Sequence, residues 1–228
     1  MRCAIPILLA LCLLPSHSAA VIIDRIAVTV GTQVITESEL ELAVRLTAFM
    51  NQEPLDFGTE NRRRSADRLI TQKFVLKELD FTRFPRPAIE EVAPLLNDQL
   101  KQHFNGDQTA YRASLEKYGI TEDQLKQHLL WQMTFFRFLD FRFRPGIPVN
   151  EADVEDYFKS RILPLAQKAN PGKPVSIEDY RDRIERILSV RRQDGEFQTW
   201  LREMRTRTKV EYRDETLRPP PQAEAAPQ

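Results

Sequence analysis

The stretch IIDRIAVTVGTQVITESELE, residues 22–41, combines the signals that start the fold of this chain. Apolar and polar residues alternate along IIDRIAVTV, which is the period of a strand with one buried face. GTQ then separates this segment from VIT, so the pattern predicts a β-hairpin. Thr36, followed three residues later by Glu39, is a capping box. It predicts that a helix begins directly after the hairpin.

The remainder of the chain is predicted to be mostly helical, since only seven glycines occur in 228 residues. Apolar periodicity and end signals predict further helices over about residues 60–79, 88–103, 108–118, 122–141 and 151–167. The longest predicted helix begins at Ser176 and is interrupted by a gap that contains Gly195. TKVEYR, residues 208–213, predicts a last strand that pairs with the hairpin and joins the two chain ends. The expected fold class is mostly α with a small β-hairpin and a C-terminal strand.

The first twenty residues have the composition of a secretory signal peptide. MRCAIPILLALCLLPSHSAA carries one positive charge, Arg2, followed by an apolar run through Leu14. Small residues, Ser18 and Ala20, occupy the −3 and −1 positions of a cleavage site before Val21. The apolar run is short for a membrane-spanning helix, so export to the periplasm is favoured over an uncleaved anchor.

Composition after cleavage argues against several classes of function. Both cysteines, Cys3 and Cys12, lie in the signal segment, so the exported chain has no disulfides and catalysis by a thiol is excluded. Without Arg2 the chain has 32 basic residues against 33 acidic ones, a net charge of about −1. This balance argues against nucleic acid and anionic lipid as partners. No later segment is apolar for long enough to predict an integral membrane span.

Motifs for catalysis and metal binding are missing from the sequence, so we predict no enzyme, no cofactor and no metal site. His103 and His128 fall in different predicted helices, whereas a zinc site needs three or four converging ligands. The chain has no glycine-rich phosphate loop, no G-x-S-x-G and no H-E-x-x-H. Neighbouring acidic residues, such as Glu90 and Glu91, are interpreted as a solvated helix face.

The stretch WQMTFFRFLDFRFR, residues 131–144, is unusual because its aromatic residues cover more than one side of a single predicted helix. Most of them fit a central core helix, and the functional alternative is that some floor a groove for apolar peptide segments. The candidate peptide-binding residues are Trp131, Met133, Phe135, Phe136, Phe138, Phe141 and Phe143. Interleaved arginines are compatible with stacking on single-stranded nucleic acid, but export and the balanced charge argue against that partner.

Four short motifs in a fixed order resemble the N-terminal domain of SurA-type periplasmic chaperones. The first is the opening stretch, and the others are LITQKFVLKE, YGITEDQLKQHL and VNEADVEDYFKS. The resemblance covers residues 22–159 and, more loosely, the long C-terminal helix and strand. The matching residues of the opening stretch are Asp24, Arg25, Ile26, Ala27, Val28, Val30, Val34, Ile35, Thr36, Ser38 and Glu39.

In that family, the segment that VNEADVEDYFKS resembles leads into one or two parvulin-type prolyl isomerase domains. Here only residues 160–175 separate it from the C-terminal helix, which is too short a stretch for a sheet-and-helix domain. The resemblance therefore implies an isomerase-free chaperone core. Its implied function is an ATP-independent holdase that binds unfolded outer-membrane or envelope protein segments in the periplasm.

Two other functions stay open at this point: an interaction subunit dedicated to one envelope partner, and, less favoured, a prolyl isomerase. The sequence also leaves open whether a homodimer forms by exchange of the long helices. The expected organisation is a signal peptide (1–20), a SurA N-terminal-like helical domain (21–159), a short linker in place of the parvulin insertion (160–175), a C-terminal helix and strand that pack on the N-terminal domain (176–215) and a disordered tail (216–228).

Overall fold

The computed structural model describes residues 24–143 and 149–220, which form a mostly helical protein with one small antiparallel sheet. The predicted fold class is thereby confirmed. No helix within these two ranges is both long and apolar enough to cross a membrane. The signal-peptide prediction for residues 1–20 falls outside the described residues.

The three-stranded sheet joins the two ends of the described chain. Strand β1 (Ile26–Val30) and strand β2 (Gln33–Thr36) form the predicted hairpin. Its turn contains Gly31 at a φ of +60°, which glycine adopts without strain because it has no Cβ. Strand β3 (Val210–Tyr212) pairs antiparallel with the other edge of β1, so the strand order is β2-β1-β3. The predicted pairing of the C-terminal strand with the hairpin is confirmed.

Helix α1 (Glu37–Asn51) begins at the predicted capping box. The Glu39 N–H donates to Thr36 Oγ1 at 3.2 Å, and the Thr36 N–H donates to the Glu39 carboxylate at 2.9 Å. The other helices are α2 (Thr59–Phe81), α3 (Ala93–Phe104), α4 (Gln108–Tyr118), α5 (Glu122–Phe143), α6 (Glu151–Tyr157), α7 (Leu163–Ala169) and α8 (Arg181–Arg207). Short 3₁₀ turns cover Ile89–Val92 and Glu215–Leu217.

Helix α8 corrects two expectations about the longest helix. Its start is not Ser176, because Ser176 Oγ accepts a hydrogen bond from the Glu178 N–H in a turn and the helix begins at Arg181. It also continues through Gly195 as a single helix of 27 residues. A glycine on an exposed face weakens a helix by about 1 kcal/mol, which is too little to interrupt one that is packed at both ends.

The helix predicted over residues 151–167 is one helical run made of α6, a π-helical turn at Phe158–Ile162 and α7. Pro164 explains the π-helical turn, because it has no N–H for the carbonyl of Ser160 and its ring clashes with that carbonyl in a regular α-helix. The first part of the predicted linker, residues 160–175, is therefore helical as far as Ala169.

Three hydrophobic clusters hold these elements together. The first lies under the sheet, between α2 and the C-terminal halves of α5 and α8. The second joins α1, α3 and α4 to the N-terminal half of α5, and the third joins α6 and α7 to the N-terminal half of α8. Leu217 is buried in the first cluster, so the predicted tail boundary at residue 216 is too early. Residues 221–228 of that tail fall outside the described residues.

Candidate peptide-binding groove

Two of the seven predicted binding residues on α5 belong to the core. Phe138 and Phe143 are 1% and 7% exposed. Their rings pack on Phe197 and Trp200 of α8 at centroid distances of 5.6 to 6.1 Å. The prediction that they contact a peptide is therefore wrong, because α8 covers this side of α5 and leaves them no access to a ligand.

Two other predicted residues are exposed but do not share one surface. Phe136 is 64% exposed and Phe141 is 53% exposed. Because these residues are five positions apart on one α-helix, their side chains point in directions about 140° apart. Phe141 meets the ring edge of Phe84 at 5.5 Å, whereas Phe136 adjoins Phe135, which packs on Phe197. Phe135 and Met133 are partly buried, so these side chains do not floor a common groove.

A groove of about 390 Å³ lies instead between α1, α2 and the N-terminal half of α5. We call it the α1–α2–α5 groove. Its apolar floor consists of Leu42, Ala43, Leu46, Leu69 and Trp131. Its polar rim consists of Glu39, Gln72, Asp123, Gln124, Gln127 and His128. Of the seven residues predicted from the aromatic stretch, Trp131 is the one that lines it.

The leucines of α1 that line the groove were not predicted as site residues. The sequence indicates a buried face of α1 through Leu40, Val44 and Phe49, and all three are buried. Leu40 and Val44 lie on one face of α1, whereas Leu42 and Leu46 lie with Phe49 on a second face, which also packs in the second hydrophobic cluster. Apolar residues on two faces of α1 are the signal that this helix has apolar contacts on two sides.

His128 lies on the groove rim as a neutral side chain. Burial, together with the positive charge of Arg68, lowers the pKa of His128 to about 4. Gln132 Nε2 lies 3.1 Å from His128 Nε2, and the amide nitrogen donates, so a neutral imidazole accepts this hydrogen bond. Within residues 24–143 and 149–220 no group of three or more His, Cys, Asp or Glu residues is placed to hold a metal ion.

Arg68 lies beside the groove: it adjoins Leu69 in the chain, and its charge acts on His128 of the rim. Its side chain lines a second, more polar cavity of about 170 Å³ along α1 and α2. Its Nη2 donates to Thr47 Oγ1 at 3.2 Å and to Ser65 Oγ at 2.9 Å. Among the described residues, no carboxylate comes within 4.0 Å of its guanidinium group. The adjacent Asp67 is paired with Arg205. A positive charge without an ion-pair partner among the described residues thus lies beside the apolar groove.

Comparison with models of known protein families finds no match to this sequence, and comparison with curated proteins finds no significant relative. The resemblance to SurA-type chaperones rests on the four short motifs alone. The fold and the groove define a mostly helical protein with an apolar cleft, and any function must be argued from that cleft.

Proposed function

We propose that this protein is an ATP-independent holdase of the periplasm that binds unfolded outer-membrane or envelope proteins without a catalytic step. The observation that carries the proposal is the α1–α2–α5 groove, whose floor is apolar and whose rim is polar. Leucine, alanine and tryptophan side chains offer contacts that accept many different apolar residues. A polar rim leaves a bound chain free to turn back into water at either end.

The size of the groove suits weak binding of many segments. One client aromatic side chain buries about 200 Å². At about 25 cal/mol per Å² this stabilises the complex by about 5 kcal/mol. Ordering of the flexible client segment offsets much of this gain. The expected result is reversible binding, which a holdase without ATP needs in order to release its clients.

Further support comes from the sequence and from the exposed aromatic residues. The first twenty residues favour export, and the four motifs resemble a family of periplasmic chaperones. Phe81, at the end of α2, is 81% exposed, and Phe141 on α5 is 53% exposed. Arg142, next to Phe141, lies 3.8 Å from Glu78 on the preceding turn of α2, so these two phenylalanines belong to neighbouring parts of the surface. They offer a second apolar contact for a long client.

The proposal is tested by light scattering. The chain from Val21 onward is mixed with an unfolded outer-membrane β-barrel protein that is diluted from urea in the absence of ATP. We expect aggregation to be suppressed at near-stoichiometric ratios. Leu42→Gln, which places an amide on the groove floor, is expected to weaken the suppression severalfold while the urea midpoint of unfolding changes little.

A matched control is Leu165→Gln on α7, because Leu165 is 68% exposed and lies outside the groove. It makes the same change of leucine to glutamine and should leave the suppression of aggregation intact. Equal effects of the two substitutions would show that the groove is not the binding site. No suppression by the unmodified chain, together with recovery of one folded envelope protein at fixed stoichiometry, would favour the dedicated interaction subunit and overturn the holdase.

A further inference from the structure

We propose that the α1–α2–α5 groove binds apolar segments at their free C-terminal end, with the terminal carboxylate on Arg68. This inference rests on the proposed function and deepens it, because it names which part of a client enters the groove. The ligand class is a peptide whose last residues are apolar and whose terminal carboxylate is unmodified.

The guanidinium group of Arg68 is held in place by the protein. Its Nη2 spans from α2 to α1 and donates to Thr47 Oγ1 and Ser65 Oγ. Thr47 Oγ1 donates its own hydrogen to the Ala43 carbonyl at 2.8 Å, so its lone pairs are left for Arg68. Ser65 is 1% exposed and is therefore a fixed acceptor. An arginine that is already ordered loses less conformational entropy when it binds an anion.

The same guanidinium group retains donors for a ligand. Both hydrogen bonds to the described residues come from Nη2, which leaves the N–H groups of Nη1 and Nε for another acceptor. Arginine donors are spaced to match the two oxygens of a carboxylate. The side chain is also solvent-exposed, so a ligand reaches it without rearrangement of the helices.

Among the described residues no carboxylate forms an ion pair with Arg68, although the negative charge of Asp67 acts on it at longer range. Asp67 pairs with Arg205, and Glu60 pairs with Arg64 at 3.0 Å. Partial burial and the positive charge of Arg64 lower the pKa of Arg68, although arginine stays protonated in proteins. His128 is neutral and adds no second cation. A ligand carboxylate at this position would meet a guanidinium group that has no ion-pair partner within 4.0 Å among the described residues.

The cavities beside Arg68 differ in size and polarity, which favours a chain that ends at this residue. The apolar groove holds about 390 Å³ and the polar cavity beyond Arg68 about 170 Å³. The smaller cavity also contains two acidic side chains, Glu53 and Asp56, in its lining. A chain that continued past Arg68 would place its next residues in this smaller and more polar cavity, which offers less apolar contact. A chain that ends at Arg68 fills the apolar groove alone.

The test uses one fluorescein-labelled octapeptide of alternating leucine and serine that ends in phenylalanine, made as the free acid and as the C-terminal amide. Binding to the chain from Val21 onward is followed by fluorescence anisotropy. We expect the free acid to bind about tenfold more tightly than the amide, the size of a partly exposed charge-assisted pair. Arg68→Gln should abolish this difference and leave the affinity for the amide unchanged. Arg68→Lys should retain part of it.

Arg64→Gln is the matched control, because Arg64 lies one turn away on the same helix and already has a carboxylate partner. It should preserve the preference for the free acid. Equal binding of the acid and the amide, both weakened by Leu42→Gln, would overturn the terminal-carboxylate inference and leave the holdase standing. Binding of neither peptide would count against the groove and thus against the proposed function. An amidated peptide with an internal glutamate that binds as tightly as the free acid, in a manner dependent on Arg68, would show that the site takes acidic side chains and overturn the commitment to chain ends.

Discussion

The two halves of helix α5 differ in composition and in the helices that pack on them: the C-terminal half is rich in aromatic residues, and the N-terminal half carries leucines and Trp131. In the C-terminal half, Phe138 and Phe143 are covered by Phe197 and Trp200 of α8 and become core. In the N-terminal half, Trp131 borders an open groove between α1 and α2. Helix α8 covers the C-terminal half, whereas the helices that pack on the N-terminal half leave the side that carries Trp131 open. One side of an apolar helix becomes core where a second helix covers it and can bind a ligand where no helix does.

Helix α8 sets this boundary because it packs on only part of α5. Gln193 Nε2 lies 3.3 Å from Asp140 Oδ1, and Phe135 meets Phe197 at 5.4 Å, so the contact runs along the C-terminal half of α5. On the N-terminal side of this contact, α5 is flanked by α1 and α2. Three measurements of stability test the difference between the two halves of α5.

The largest expected effect is that of Phe138→Ala. Its side chain is 1% exposed, and its removal leaves a cavity in the aromatic cluster between α5 and α8. We expect a loss of about 3–5 kcal/mol in the free energy of unfolding, measured by urea denaturation. Phe136→Ala is the control on the same helix, because that ring is 64% exposed and its loss should cost less than about 1 kcal/mol. Similar losses for the two variants would contradict the assignment of core and surface.

The second effect is a pH dependence that belongs to the groove half of α5. The pKa of His128 is about 4 in the folded protein, below the unfolded value of 6.5. At higher pH both states are neutral. As the pH falls from 6.5 to 4, the unfolded state takes up a proton that the folded state does not, so stability is lost over this window. The expected loss is about 2–3 kcal/mol.

His128→Gln removes the side chain that takes up this proton, so the free energy of unfolding should fall less between pH 6.5 and 4. The measurement is the free energy of unfolding in urea at pH 7, 5.5 and 4, for both proteins. Carboxylates such as Asp214, whose pKa is lowered by hydrogen bonds to Thr216, also reduce stability in acid. They are shared by both proteins and cancel in the difference. Parallel curves for the two proteins would show that His128 is not buried on the groove rim.

Much of the fold follows from local signals in the sequence. The capping box at Thr36 occurs as predicted, and the left-handed end of α4 at Gly119 and the side-chain cap at Asn150 are local features of the same kind. These features depend on hydrogen bonds within a few residues, so the sequence carries them directly. The pairing of β3 with β1 was also predictable, because a short apolar strand at the chain end needs a partner edge.

The groove was not predictable from the same signals, apart from Trp131. Its floor draws Leu42 and Leu46 from one helix, Leu69 from another and Trp131 from a third. Their proximity depends on how α1, α2 and α5 pack together, which is a tertiary property with no local pattern. An all-round aromatic stretch predicts that a helix has several neighbours, but it does not say which side stays uncovered.

The smallest expected effect concerns the covering helix itself. Gly195 was predicted to lie in a break, yet α8 passes through it as a regular helix. A Cβ added at Gly195 would meet nothing within 4 Å. Gly195→Ala should therefore stabilise the protein by about 0.5–1 kcal/mol, because alanine restricts the unfolded chain and favours the helix. Urea denaturation of the variant measures this gain. A loss of stability would mean that α8 bends at Gly195. The burial of Phe138 and the open groove beside Trp131 would then not be explained by one straight helix.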